Sequence, residues 1–314
     1  MKPGDPAVYA VWINHGMHLL YTIDDVRQDD LPAVRSDQLA YIYLRKADGE
    51  VLEVVPITVG DPKYWDLLGT RAVVQPYSGP RGVNPDALQA LMPQLGGVSI
   101  DRVVSDDPTA AAVYGLAPAQ AELRIIDTEG AERHLHFGDT QDDEVFFQVA
   151  GRPTIYATQS SRVAFLQQNP FAIIDRLLLL VLVTSVESVG VRHPGGQHQL
   201  SIAHPAEGSD AETQFVFDGV ALEEKTGRAL YRNLIGVTAD SPPDPVRAAA
   251  ALRRPAEIFI SFSMNRFPDR AELRLIPYDT QFYISSRDGQ GSFLVDRAKV
   301  ASLLAVLADP ATAT

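Results

Sequence analysis

The stretch "EVFFQVAGRPTIYATQSSRVAFLQQ" (Glu144–Gln168) decides the fold. Val145 to Val149 predicts a strand, Ala150-Gly151-Arg152-Pro153 a polar turn, and Thr154 to Ala157 a second strand. Thr158 or Ser160 then caps a helix whose inward residues are Val163 and Leu166, with Phe165 beside them. Near the C-terminus, "QFYISSRDGQGSFLVDRAKVASLL" (Gln281–Leu304) follows the same plan. Here Asp296 is the cap, and Val300, Leu303, Leu304 and Leu307 form the apolar stripe. A hairpin that leads into a capped apolar helix buries one sheet face under that helix, which is the α+β solution.

Working outward, "LAYIYLRKADGEVLEVV" (Leu39–Val55) is a hairpin around Ala47-Asp48-Gly49, and "VESVGVRHPGGQHQLSIAH" (Val186–His204) is a second around Pro-Gly-Gly. "GVNPDALQALMPQL" predicts a helix capped by Asn84, with Pro85 at the first helical position and Leu88, Leu91, Met92 and Leu95 on one face. Pro93 predicts an irregular end. "GGVSIDRVVSDD" is a strand leaving it, and "EKTGRALYRNLIGVTAD" takes the matching helical place later in the chain. "AELRIIDTEGAERHLHFGD" (Ala121–Asp139) and "AEIFISFSMNRFPDRAELRLIP" are corresponding strand pairs. The expected organisation is an N-terminal appendage over 1–37 and two repeated units, 38–183 and 184–310. Each unit is an antiparallel meander with helices packed on one face.

The net charge of −13 argues against nucleic acid and anionic membrane surface as partners, because both attract clustered Lys and Arg. The absence of cysteine excludes disulfides, thiolate metal sites and cysteine nucleophiles. The opening "MKPGDPAVYAVWINHG" lacks the basic-then-apolar pattern of a signal peptide. "LLLLVLV" (Leu177–Val183) falls far short of the roughly 20 apolar residues that span a bilayer and is read as core.

"VNPDALQALMPQLGGVSIDRVVSDDPTAAAVYGLAPAQAELRIIDTEGAERHLHFGD", continued by "GRPTIYATQSSRVAFL" and "FAIIDRLLLLVLVTSVESVGV", resembles the bacterial family catalogued as domain of unknown function 4340. The resemblance covers about Asp37 to His204. It rests on the "RVV.DD" strand, the "YGL..P" corner and the Asp-Arg-x-Leu-Leu junction. It implies an extracytoplasmic body behind a single N-terminal membrane-spanning helix, often encoded beside gliding-motility-type ABC transporters. It carries no catalytic residues to transfer. The spanning helix is missing from this sequence, so any membrane link would run through an anchor the chain as given does not contain.

Candidate sites are few. His134 and His136 alternate on one strand with Asp139 nearby, a metal-type set. Leu135 and Phe137 supply the apolar face, which leaves the histidines toward solvent, so no metal is assigned. His193 and His198 flank a hairpin turn, His204 lies further along, and His15 and His18 sit in a stretch that alternates like a hairpin. Ser160-Ser161 lacks a nucleophile elbow and reads as a helix cap. "DTQDDEV" lacks calcium-loop spacing. Tyr114-Gly115-Leu116 with Pro118 reads as a structural corner. Gly195-Gly196 is no phosphate cradle, and no cofactor is implied. Tyr64, Trp65 and Tyr77 offer a possible ligand surface. The expectation is a noncatalytic extracytoplasmic protein, an interaction or accessory module of an ABC-transporter-linked envelope complex. The alternatives are a small-ligand or glycan binder using a cleft between the units and, less favoured, a metal-dependent hydrolase.

Overall fold

The computed structural model of the chain describes residues 30–58, 60–67, 69–206, 212–287 and 290–313. His15 and His18 lie outside these residues. The first strands are β1 (Leu39–Arg45), β2 (Val51–Pro56), β3 (Arg71–Gln75) and β4 (Arg81–Gly82), followed by helix α1 (Pro85–Gly96) and strand β5 (Arg102–Ser105). A four-strand meander follows: β6 (Ala121–Asp127), β7 (Glu132–Gln141), β8 (Glu144–Val149) and β9 (Ile155–Gln159). After the short α2 (Pro170–Ile173) come the hairpin β10 (Val186–His193) and β11 (Gly196–Ala203), then β12 (Gln214–Phe217) and β13 (Val220–Leu222). Helices α3 (Glu224–Ile235) and α4 (Pro245–Ala251) precede a second meander. It consists of β14 (Ile258–Met264), β15 (Arg270–Pro277), β16 (Phe282–Arg287) and β17 (Gln290–Asp296), and α5 (Arg297–Ala308) closes it.

The expected α+β class stands. One sheet has nine strands in the order β4-β3-β2-β1-β6-β7-β8-β9-β5, the other eight in the order β13-β12-β11-β10-β14-β15-β16-β17. The chain divides into two compact units. Of the described residues, one unit holds those up to Leu39, Tyr43–Gly49 and Leu91–Gln167, and the other holds Ala40–Ile42 and those of 50–90 and 168–313.

Alternation explains the burial. In β6, Ala121, Leu123 and Ile125 are buried while the intervening side chains are half-buried. Phe137 pairs with Phe147, which pairs with Tyr156, so one aromatic row crosses three strands on the inner face. Strands β8 and β9 are buried on both faces: Phe146, Ile155 and Ala157 pack on Leu116 from the corner before β6. Gly115 has φ +69, and a β-carbon there would strike Asp139, so glycine is required at this corner. Tyr114 meets Phe146 edge-on at 4.7 Å.

In the second sheet α3 rests on β12 and touches α5, which rests on β17. Gly227 sits where a β-carbon would overlap the Phe215 ring, which lets this helix approach the strand closely. The side chain of Asp296 accepts from the Ala298 amide at 2.7 Å, and Val300, Leu303 and Leu307 are buried with Leu304 half-buried. Asn84 likewise caps α1 through the Asp86 and Ala87 amides. That helix runs through Pro93 to Gly96, because a proline in its last turn removes only one backbone bond.

One expectation is corrected. Ser160–Gln167 is a 3-10 segment with non-helical angles at Val163, and it buries Val163 and Phe165 rather than Val163 and Leu166. The tighter turn and the kink rotate Phe165 inward, edge-on to Phe137. Neither hydroxyl caps it. Ser160 Oγ donates to Asp143 Oδ1 at 2.8 Å, and Thr158 is buried inside β9. "LLLLVLV" is largely core as expected, with Leu178, Leu179 and Val181 buried, but Leu182 is 43% exposed.

Candidate functional site

The β6–β7 hairpin turns at Thr128-Glu129-Gly130 with Asp127 as its brace. The Asp127 carboxylate accepts from the amides of Arg35, Glu129 and Ala131, which hold its pKa below the ordinary 3.8. This turn sets a register in which Glu122 stands opposite His136 and Arg124 opposite His134. Glu122, His134 and His136 therefore share the outer face, and each offers one ligand atom within 4.8 Å of the others. His134 Nε2 and Glu122 Oε1 are 2.7 Å apart, and the two imidazoles meet edge-on at 4.8 Å. Arg45 Nε lies 3.4 Å from Glu122 Oε2 and the guanidinium also donates to the Ala119 carbonyl.

Burial acts first to raise the Glu122 pKa, but hydrogen bonds from His134 and Arg45 outweigh it and hold the carboxyl below its usual range. Burial, with His134 beside it, lowers the His136 pKa and favours the neutral imidazole. His136 makes no hydrogen bond to another side chain or to backbone through its ring among the described residues.

Asp139, the expected partner of these histidines, is elsewhere. It hydrogen-bonds Gln120 through its carboxylate and the Tyr114 carbonyl through its amide. A register shift between Phe137 and Thr140 and the odd spacing from His136 turn it away from the pair. The carboxylate that joins them, Glu122, is legible from hairpin counting. It lies seven residues before Glu129, as His136 lies seven after.

The other described histidines make structural contacts. His193 stacks on His198 at 5.4 Å, His198 stacks on Phe217, and His198 Nδ1 lies 2.7 Å from Asp218 Oδ2. His204 donates to the Val186 carbonyl at 2.8 Å. The acidic run forms the β7–β8 turn, where Asp142 and Asp143 take φ 49 and 69, the left-handed pair that a tight hairpin demands.

The aromatic candidates separate. Tyr64 and Trp65 line a cavity of about 500 Å³ together with Leu182, Ser185, Met264 and Phe267. Phe267 is 72% exposed at this surface. Ser185 is 3% exposed, and its hydroxyl has no hydrogen-bond partner among the described residues. Tyr77 instead packs edge-on against Phe293 at 5.2 Å, where burial and then the Glu50 carboxylate push its phenol well above the usual range.

Asp66, beside Trp65, lines both this groove and a neighbouring cavity of about 260 Å³. It is buried and ion-paired with Arg287, whose guanidinium lies 5.4 Å from the Trp65 ring. Arg81 faces Phe293 at 5.0 Å, with its pKa lowered to about 10 by burial and by Arg287. Asp66, Arg81 and Arg287 carry no short-range sequence signal, because burial and strand-edge packing select them.

No helix among the described residues is long and apolar enough to cross a membrane. No curated protein and no solved structure matches the chain. The model of one family, described as Domain of unknown function (DUF4340), matches residues 73–239, more than half of the sequence. That span takes in the corner at Gly115, the β6–β9 meander with its two histidines, and the β10–β11 hairpin, and the chain belongs to this family.

Proposed function

We propose that the protein is a noncatalytic extracytoplasmic module, an accessory of an envelope assembly linked to an ABC transporter, built from a duplicated α+β unit. The matching strand orders support the duplication: in each sheet a hairpin-led run is continued by a four-strand meander that ends in a helical segment. Family membership supports the envelope setting through the resemblance described above.

The observation that carries the interaction reading is the apolar groove of Tyr64, Trp65, Leu182 and Phe267. Exposed apolar side chains grouped around a concavity mark surfaces that bind partners. The test places a photo-crosslinking amino acid at Phe267 of the protein in its native host, with protease accessibility measured in spheroplasts. The expected result is protease-accessible protein crosslinked to a transporter membrane subunit, with the adduct lost on Leu182→Glu. A protease-protected protein, or no adduct to that subunit, overturns the proposal.

A second reading, small-ligand or glycan binding in the same groove, is favoured by the indole of Trp65 and the phenol of Tyr64 that line it. In a Trp12→Phe background, which leaves Trp65 as the sole indole, a saturable change of fluorescence with a glycan library identifies it. A flat response throughout counts against it.

A further inference from the structure

We propose that Glu122, His134 and His136 form a binding site for a divalent transition-metal ion of the zinc class. This site is distinct from the aromatic groove and does not depend on the interaction reading. Two imidazoles and one carboxylate make a borderline donor set that suits zinc, with cobalt, nickel and copper as chemical relatives.

The backbone prepares the arrangement. His134 and His136 are two apart on β7, so they project from the same face, and Glu122 reaches that face from the directly paired position on β6. Both strands lie in the interior of the nine-stranded sheet, which fixes their separation. Only side-chain torsions remain to be adjusted.

The required adjustment is small. With metal bonds of about 2.0 Å in tetrahedral geometry, neighbouring donor atoms sit roughly 3.3 Å apart. Glu122 Oε1 and His134 Nε2 are at 2.7 Å, so the pair opens slightly as an ion replaces the shared hydrogen. All three donors already lie within 4.8 Å of one another. Among the described residues, the His136 ring has no protein hydrogen bond to give up.

Arg45, which reaches Glu122 Oε2, leaves Oε1 directed at the histidines, an outer-shell role of the kind that orients metal ligands. Its positive charge also opposes a dication. All three donors are half-buried at the sheet surface, so a fourth position is open to solvent.

The experiment titrates zinc into the chelator-treated full chain by calorimetry, with cobalt absorption as a spectroscopic reading of coordination. The expected result is one equivalent of zinc, together with cobalt bands of nitrogen–oxygen tetrahedral ligation. His136→Gln and Glu122→Gln should each weaken binding at least about tenfold. His198→Gln, at the other histidine pair, should leave stoichiometry and affinity unchanged. Zinc should raise the melting temperature of the parent protein but not that of His136→Gln. Absence of one-equivalent binding, or of the cobalt bands, in the parent protein overturns the site whatever the variants do. Binding that persists in folded His136→Gln and Glu122→Gln, or that disappears in His198→Gln, overturns it equally.

Discussion

Hairpins β6–β7 and β14–β15 hold the same place in their sheets, next to the first hairpin strand and at the head of a meander. Their inner faces are alike: Leu123, Ile125, Leu135 and Phe137 in one, Ile258, Ile260, Leu273 and Leu275 in the other. Their outer faces are not. Where the first pairs Glu122 with His136, the second pairs Phe259 with Arg274. Arg45 of β1 reaches a carboxylate, whereas Arg192 of β10 lies 5.2 Å from the Phe259 ring. Glu272 pairs with Arg270 at 2.6 Å and with Arg274 at 2.9 Å, giving a solvated charge ladder. The inner face is constrained by packing and the outer face is available for chemistry. Of these two hairpins, only the first gathers imidazole nitrogens on its outer face.

The largest expected effects test the likeness of the inner faces. Phe137→Ala should cost about 3–5 kcal/mol and Leu275→Ala about 2–5 kcal/mol, measured by urea unfolding. A loss below about 1 kcal/mol at either site would break the equivalence.

Asp66→Ala should destabilise by about 3 kcal/mol, because it removes the carboxylate that faces the largely buried Arg287. Unchanged stability would show that solvent reaches this pair.

The contrast of outer faces is sharpened by transplantation. Phe259→Glu, Glu272→His and Arg274→His together place the donor set in the paired register of the second sheet, and calorimetry should then read two zinc equivalents. A count that stays at one would mean that neighbours such as Arg45 are part of the site.

The smallest effect concerns the turn braces. Asp279 after β15, like Asp127 at the end of β6, is held below the ordinary 3.8, first by the Gln281 amide and then by Phe282 and Arg247. A depressed folded pKa means that the unfolded chain binds the proton more readily. The contribution is therefore full above pH 3.8 and is lost as pH falls from there through the folded value. Asp127→Asn and Asp279→Asn should each flatten the acid limb of stability measured between about pH 5 and about pH 2. A parallel, unflattened limb in either variant would remove that turn from the acid response.

Much of the fold is legible locally. The hairpins follow from alternation around Gly49, Gly130 and Gly195, and the caps at Asn84 and Asp296 follow from side chains that accept from exposed helix amides. The segment after Ser160 escapes a local reading because two competing demands, the bond to Asp143 and the burial of Phe165, are both nonlocal. Edge strand β5 joins its sheet through β9, pairing Arg102 with Ala157, which no window of sequence contains. Of the candidate site, His134 and His136 are visible as an alternating pair. Glu122 requires the hairpin register, and Asp139 is excluded by a bulge.

By itself, then, the sequence determined most of the hairpins and helices with their inward faces, the segment after Ser160 excepted, and the acidic, cysteine-free chemistry, because periodicity and composition act over a few residues. Only the tertiary structure decided that Asp139 turns away from the histidines, that Asp66 and Arg287 close a part-buried ion pair beside Trp65, and that Tyr77 leaves the groove for Phe293. Those outcomes depend on strand register and on close packing between distant segments, where a displacement of one residue reverses the face a side chain occupies.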